Sequence, residues 1–222
     1  MVISSKFLDA LTPSSIRSIT AKIRDKAKDG IQVVSFAGGL PSKEFFPLED
    51  LRRITDQVFD EEGGEHFPGW SMEAIQYAAS DGYDPLRQYL VEFMKRYQVN
   101  NIDYKNILIT SGAQQGLAYL AKGMIEPGSV VIVENPSYPG ALDTFRSYGA
   151  EIVGVGMDDD GMKMDALEQV LQQHKKVAFI YTIADFQNPT GRCMSVERRK
   201  KLVELAETYD TFVVEDGPYS LI

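Results

Sequence analysis

Four short segments of this chain carry side chains able to grip a small planar anion. Asp216 closes the apolar run Thr211-Phe-Val-Val-Glu-Asp216, and Tyr219 follows three residues later. A carboxylate at the end of a buried strand is costly unless a cation or a donor meets it, so Asp216 asks for a partner. Ser111-Gly-Ala-Gln-Gln-Gly116 leads from an apolar run straight into a helical pattern. A turn of small residues there leaves backbone N–H groups free at the positive end of the helix dipole, which suits a phosphate. It is equally the start of an ordinary helix. Glu134-Asn-Pro-Ser-Tyr-Pro139 presents Tyr138 on a rigid turn, where the ring can lie over a flat ligand or simply fill core. Asn188-Pro189, within Asp185-Phe-Gln-Asn-Pro-Thr-Gly191, fixes a turn that can aim an amide inward, although such turns occur anywhere.

The elements that must position these groups are legible in the apolar pattern. Residues 106–110, 130–134, 151–157, 176–184 and 211–216 read as strands, with helices between them at 114–125, 138–148, 164–174 and 195–209. Strands that are apolar almost throughout, each followed by a helix, predict an α/β fold: a mainly parallel sheet covered by helices on both faces. In such sheets ligands bind outside the carboxyl ends of the strands, which is where all four segments fall. Neither the dinucleotide fingerprint G-x-G-x-x-G nor a P-loop is present.

Ahead of the sheet, helical stretches at 14–28 and 48–60 flank an irregular loop containing Pro41, Pro47 and Gly38-Gly39. This reads as an arm, so the expected division is an N-terminal arm and small-domain contribution over 1–60 and part of a large domain over 61–222. Asp84 can cap a further helix, with Pro85 at its first position and Leu86, Leu90, Phe93, Met94 and Tyr97 as its apolar stripe.

The chain has 222 residues, of which 44% are apolar and 25% charged, the balance of a globular protein with a real core. With 32 acids against 23 bases the net charge is −9, which disfavours a nucleic-acid partner. The single Cys193 excludes an internal disulfide, and no apolar stretch has the length of a membrane span. A cytoplasmic address is expected.

Together the four segments describe a ligand that is planar and aromatic, carries a phosphate on one side and a protonatable ring nitrogen, and offers an oxygen to an amide and a phenol. Pyridoxal 5′-phosphate meets each requirement. At this point the chain resembles the class I/II aminotransferases of PLP fold type I, closest in pattern to the α-aminoadipate, kynurenine and multi-substrate group. The resemblance is carried by Ser15-Ile-Arg17, Ser35-Phe-Ala-Gly-Gly-Leu-Pro41, Gln76-Tyr77, Gly82-Tyr83, Leu86-Arg87, Gln187-Asn-Pro-Thr-Gly191 and Asp216-Gly-Pro-Tyr219. It implies that Ala113 and Gln114 hold the phosphate, Ala113 through its backbone where similar enzymes often have Ser, a missing hydroxyl that would weaken cofactor binding. It further implies that Tyr138 stacks on the pyridine ring, Asn188 and Tyr219 bond its 3′-oxygen, and Asp216 pairs with its nitrogen. Tyr77 would reach the phosphate of a neighbouring subunit in a homodimer, Gly39 would line the substrate pocket, and Arg17 would help select substrates. Asp185 is read as a solvated turn residue.

The implied reaction is transamination between an L-amino acid and a 2-oxo acid. In the family it depends on a Schiff-base lysine beyond the Asp-x-x-Tyr segment. Every lysine here precedes Asp216, so no catalytic residue is assigned and the chain is expected to be the inactive N-terminal portion of such an enzyme. In the fold type I order 3-2-4-5-6-7-1, strands 6 and 7 would then be missing. Residues 106–110 would lack their neighbours, and 211–216 would present an apolar edge, inviting association with a complementing chain. The alternative is a non-catalytic effector-binding module of a transcriptional regulator, disfavoured because Met1 to Thr12 leaves no room for its winged-helix domain.

Overall fold

The computed structural model describes residues 15–34, 39, 41–59, 75–97 and 99–221. These form two compact units, one holding the described residues of Met1–Asp25 and Ser111–Ile222, the other those of Lys26–Thr110.

In the first unit, α1 (Ser15–Lys28) begins the described chain and runs on into the second unit. The αβ succession starts with α4 (Ala113–Met124) and continues through β1 (Val130–Asn135), α5 (Pro139–Ser147), β2 (Glu151–Asp158) and β3 (Gly161–Met162). It ends with α6 (Met164–Gln173), β4 (Val177–Thr182), α7 (Val196–Thr208) and β5 (Phe212–Glu215). The sheet order is β3-β2-β1-β4-β5. β1 is parallel to β2 and β4, and β4 is parallel to β5, so four of the expected strands take the order 3-2-4-5. The two-residue β3, antiparallel to β2, has no counterpart in the sequence reading. It is too short to show an apolar period.

Side chains alternate across a strand, and that alternation sorts the core into two layers. Val130 and Ile132 of β1 and Ile180 of β4 pack with Leu167 and Leu171 of α6 and Leu202 and Leu205 of α7. Val131, Val133, Phe179 and Tyr181 face the other way, onto Leu117 and Ala121 of α4 and Ala141 and Phe145 of α5. β1 and the end of β4 are therefore buried on both faces, while β5 lies at the edge with Phe212 68% exposed.

The hairpin between β2 and β3 is strapped down by charge. Arg198 of α7 donates to the carbonyls of Gly161 and Met162 and to Asp158, and Arg192 reaches Asp159 at 3.0 Å. The Arg198 guanidinium holds the Asp158 carboxyl below its usual range. Gly161 has φ +96°, and a Cβ there would stand 3.1 Å from the Met194 Cα, so the close approach of hairpin and loop depends on glycine.

In the second unit α2 (Leu48–Phe59) forms as expected; α3 (Asp84–Lys95) also forms, but its N-cap is Tyr83 without a side-chain cap bond, so Asp84 is the first helical residue and not the cap, and Pro85 the second. The apolar stripe of α3 is not a core face, however. Leu86, Met94 and Tyr97 are exposed, and the one buried side chain of the helix is Arg87. Arg87 meets Asp81 at 2.6 Å and Asp84 at 2.8 Å, donates to the Ile107 carbonyl, and lies over the Tyr104 ring. A guanidinium can be buried there because its donors are taken on several sides. Residues 106–110 also differ from expectation. Tyr104–Asn106 is a 3-10 turn, and 107–110 belongs to no strand of the described sheet, with the Ile109 N–H donating to the Asp81 carbonyl. Gly38 and Leu40 of the arm loop, and the side chain of Arg17, lie outside the described residues.

Candidate functional site

Parallel strands bring their carboxyl ends to one rim, so β1, β4 and β5 deliver the turn at 135–138, the loop at 183–191 and the segment 216–219 to the same side of the sheet. The helix after Gly112 joins them through a side chain. Gln114 Nε2 donates to Thr144 Oγ1 at 2.5 Å and to the Gly140 carbonyl at 3.3 Å, holding the first turn of α4 beside the first two turns of α5. Gly112 caps α4 with φ +80°, and a Cβ there would meet nothing within 4 Å. Ala113 and Gln114 are exposed at the first positions of α4, where amide N–H groups have no intrahelical acceptor. The Ser111 N–H is taken by Gln115 Oε1 at 2.6 Å.

Tyr138 is the residue before α5, half-buried and packed against the α4–α5 layer of the core. Its ring lies over Gly140, whose substitution would put a Cβ 2.5 Å from the Tyr138 hydroxyl. Asn188, Gly191 and Tyr219 share a hollow of about 300 Å³ with Phe186, Gln187 and Pro189. Both Asn135-Pro136 and Asn188-Pro189 are cis.

Asp216 is half-buried one residue beyond β5, its N–H bonded to the Thr182 carbonyl at 2.9 Å. The partner that a carboxylate in this position requires is Tyr181, whose hydroxyl donates to Asp216 Oδ2 at 2.8 Å. The sequence places Tyr181 inside an apolar strand, where nothing distinguishes it from a core residue; its phenol is legible as a donor only once β4 and β5 are adjacent. Burial first, and then the bond to Asp216, push the Tyr181 phenol well above its usual value.

That shift has a defined sign. The folded-state value lies above the unfolded value near 10, so the contribution of Tyr181 to stability is complete below pH 10 and is lost as pH rises beyond it. Tyr181→Phe is expected to lower stability at neutral pH by about 1 kcal/mol, the net worth of one hydrogen bond. It is also expected to make the alkaline limb of the Tm–pH curve shallower than in the wild type; a parallel limb contradicts the assignment.

Asp185 is not a solvated turn residue. Arg199 of α7 meets its carboxylate at 2.6 Å and donates to the carbonyls of Ala184 and Met194, so the loop leaving β4 is tied to α7. The pairing spans 14 positions, beyond any local sequence signal. Tyr77 is fully exposed in the second unit, and Gly39, with φ +35°, has no described atom within 4 Å of where a Cβ would stand. Among the described residues no group of His, Cys, Asp and Glu side chains could hold a metal ion, and no helix is long and apolar enough to cross a membrane.

Residues 71–221 match the model of the aminotransferase class I and II family, and the chain belongs to that family. Aromatic-amino-acid aminotransferase 1 of Thermococcus litoralis is 43% identical over 192 residues, covering 84% of this chain and 44% of that protein. Among solved structures, an archaeal alanine:glyoxylate aminotransferase superposes with a TM-score of 0.86 at 36% identity, over 96% of this chain and 51% of that one. A kynurenine aminotransferase of Pyrococcus horikoshii, solved in complex with PMP, KYN and KYA, gives 0.85 at 36% identity, over 97% of this chain and 51% of that one. The chain thus spans about half the length of the relatives it matches.

Proposed function

We propose that the protein to which these residues belong transfers an amino group between an L-amino acid and a 2-oxo acid with pyridoxal 5′-phosphate, and that this chain supplies the rim that holds the cofactor. The observation that carries the reading is the Asp216 carboxylate, seated at a strand end by the Tyr181 phenol, on the same rim as the hollow that Asn188 and Tyr219 line. The donor set fits the group: open helix N–H groups at Ala113 and Gln114 for a phosphate, and a carboxylate for a ring N–H.

When bound, pyridoxal phosphate supplies a protonated ring that draws electrons from the α-carbon of an attached amino acid. The residues of this chain prepare that chemistry. Tyr181 occupies Oδ2 of Asp216, which would leave Oδ1 to accept from a ring N–H. Gln114, anchored to Thr144, fixes the helix turn that receives the phosphate. Tyr138 would offer a ring face, and Asn188 and Tyr219 would orient the 3′-oxygen. Tyr77, fully exposed, is free to serve the site of a second subunit in a homodimer. Relatives named for aromatic amino acids, kynurenine and alanine leave the amino donor's side chain open, and Arg17 and Gly39 take part in selecting it.

The test uses the 222-residue chain itself. Isothermal titration with 4-deoxypyridoxine 5′-phosphate, which has no aldehyde to react with exposed lysines, is expected to show weak but saturable one-site binding. Mixed with pyridoxal 5′-phosphate and an amino acid, the same chain is expected to form no pyridoxamine 5′-phosphate, because no described lysine lines the hollow shared by Asn188 and Tyr219. Absence of probe binding sinks the cofactor reading, and formation of the amine sinks the reading of these residues as a rim that holds the cofactor without a lysine of their own.

A further inference from the structure

Glu134, the fifth residue of β1, is 2% exposed and has no place in the scheme above. Its carboxylate is met from three directions. Thr182 Oγ1 donates to Oε1 at 2.6 Å, while the Ile183 N–H and Gln187 Nε2 donate to Oε2 at 3.2 and 3.1 Å. Gln187, also 2% exposed, carries the connection onward on both sides. Its amide nitrogen donates to the Pro136 carbonyl at 2.9 Å, and its carbonyl oxygen accepts from Thr190 N at 3.0 Å and Thr190 Oγ1 at 2.7 Å.

One buried chain of hydrogen bonds therefore runs from the end of β1 to both sides of Asn188. Gln187 precedes Asn188 and Thr190 follows it by two, and the same Gln187 amide grips the turn that carries Tyr138. Side-chain networks of this kind are fully satisfied or costly, so the spacing of the two turns is set by the network rather than by the loops themselves.

We infer that Glu134 is a positioning residue: through Gln187 it holds Asn188 at a fixed place relative to the Tyr138 turn, and it does so as a hydrogen-bond acceptor rather than as a charge. The inference rests on the cofactor reading, in which Asn188 bonds the 3′-oxygen. An acceptor role is chemically open to the neutral side chain as well. A glutamine at 134 can keep its oxygen toward Ile183 and Gln187 and turn its NH₂ toward Thr182, whose hydroxyl can accept as readily as donate. Burial pushes the Glu134 carboxyl up, against the lowering effect of its three donors, in line with a site that does not require the charge. An apolar leucine offers no acceptor and leaves the Ile183 and Gln187 donors buried and unmet.

The experiment compares Glu134→Gln and Glu134→Leu with the wild-type chain, using two probes that cannot bond to lysine. 4-Deoxypyridoxine 5′-phosphate carries the 3-hydroxyl; pyridin-3-ylmethyl phosphate keeps the ring nitrogen and phosphate but lacks it. Glu134→Gln is expected to bind both within about two-fold of wild type. Glu134→Leu is expected to lose about ten-fold for the hydroxylated probe, near the worth of one hydrogen bond, and about two-fold or less for the stripped one. Thr190→Val, which removes one bond to Gln187 at the loop end of the network, is expected to give a smaller loss with the same selectivity and serves if Glu134→Leu does not fold. Equal losses on both probes overturn the inference, because a general structural role does not discriminate the 3-oxygen. A loss in Glu134→Gln as large as in Glu134→Leu overturns the acceptor role. If the wild-type chain binds neither probe, the cofactor reading falls and this assignment with it, an outcome distinct from wild-type binding that the variants leave unchanged.

Discussion

Asp216→Ala is expected to weaken binding of 4-deoxypyridoxine 5′-phosphate by about ten- to hundred-fold, the range for losing one hydrogen bond to a charged group. The loss should have a spectroscopic signature. With the carboxylate gone, the bound ring no longer has a counter-charge for its proton, so its absorbance should shift to that of the neutral ring at a pH where the wild-type complex stays protonated. The variant also strands the hydroxyl of Tyr181, a residue that is 0% exposed and donates to Asp216 in the wild type. An unmet buried hydroxyl costs about 1–3 kcal/mol. Adding Tyr181→Phe to Asp216→Ala should therefore recover stability while leaving probe affinity low. Calorimetry of the single and double variants separates the two contributions. Recovery of affinity in the double variant, or an unshifted spectrum in Asp216→Ala, would refute the pairing of Asp216 with the ring.

The second large effect lies in the core. Phe145 is fully buried on α5, with its ring edge-on to Phe179 at 5.1 Å and to Tyr181 at 5.3 Å between centroids. Phe145→Ala removes the wall against which both β4 side chains rest, and is expected to cost about 3–5 kcal/mol. For a chain of this size that corresponds to a fall in Tm of about 10 °C. The same helix carries Tyr138 at its entrance and Thr144 against Gln114, so probe affinity should also fall, although no atom of Phe145 belongs to the rim. Thermal unfolding followed by circular dichroism checks the stability change. A Tm within about 3 °C of wild type, under about 1.5 kcal/mol, would contradict this account of the α4–α5 layer.

Much of the fold was legible because parallel strands buried on both faces leave an unambiguous apolar record. The runs at 130–134, 151–157, 176–184 and 211–216 each became a strand, and the helices between them form within a residue or two of expectation. The places that read differently are those where polar groups are satisfied at long range. Glu134 looked like the polar end of a strand, but its donors come from residues 48 to 53 positions away. Tyr181 reads as core, and its phenol finds Asp216 only across a strand pair 35 residues apart. Arg87 breaks the stripe of α3 partly for the same reason: its bond to the Ile107 carbonyl spans 20 positions, while Asp84 and Asp81 meet it from its own neighbourhood. The rim itself was visible as residue types at strand ends; the groups that orient the rim were not, because they sit within the strands and helices that hold it.

The sorting of β4 into two layers also limits how this part of the chain can change. Ile180 and Tyr181 are consecutive, yet one belongs to the α6–α7 side and the other to the α4–α5 side. An insertion of one residue early in β4 would exchange those memberships along the rest of the strand, burying the phenol in the wrong layer and depriving Asp216 of its donor. An insertion at the exposed Asp159–Asp160 tip meets no such parity, though it would displace the bonds that tie Asp159 to Arg192 and the Asp160 carbonyl to Ser195. A change of count therefore costs the hairpin a surface ion pair, while in β4 it costs the layering of the whole strand, which admits substitutions only.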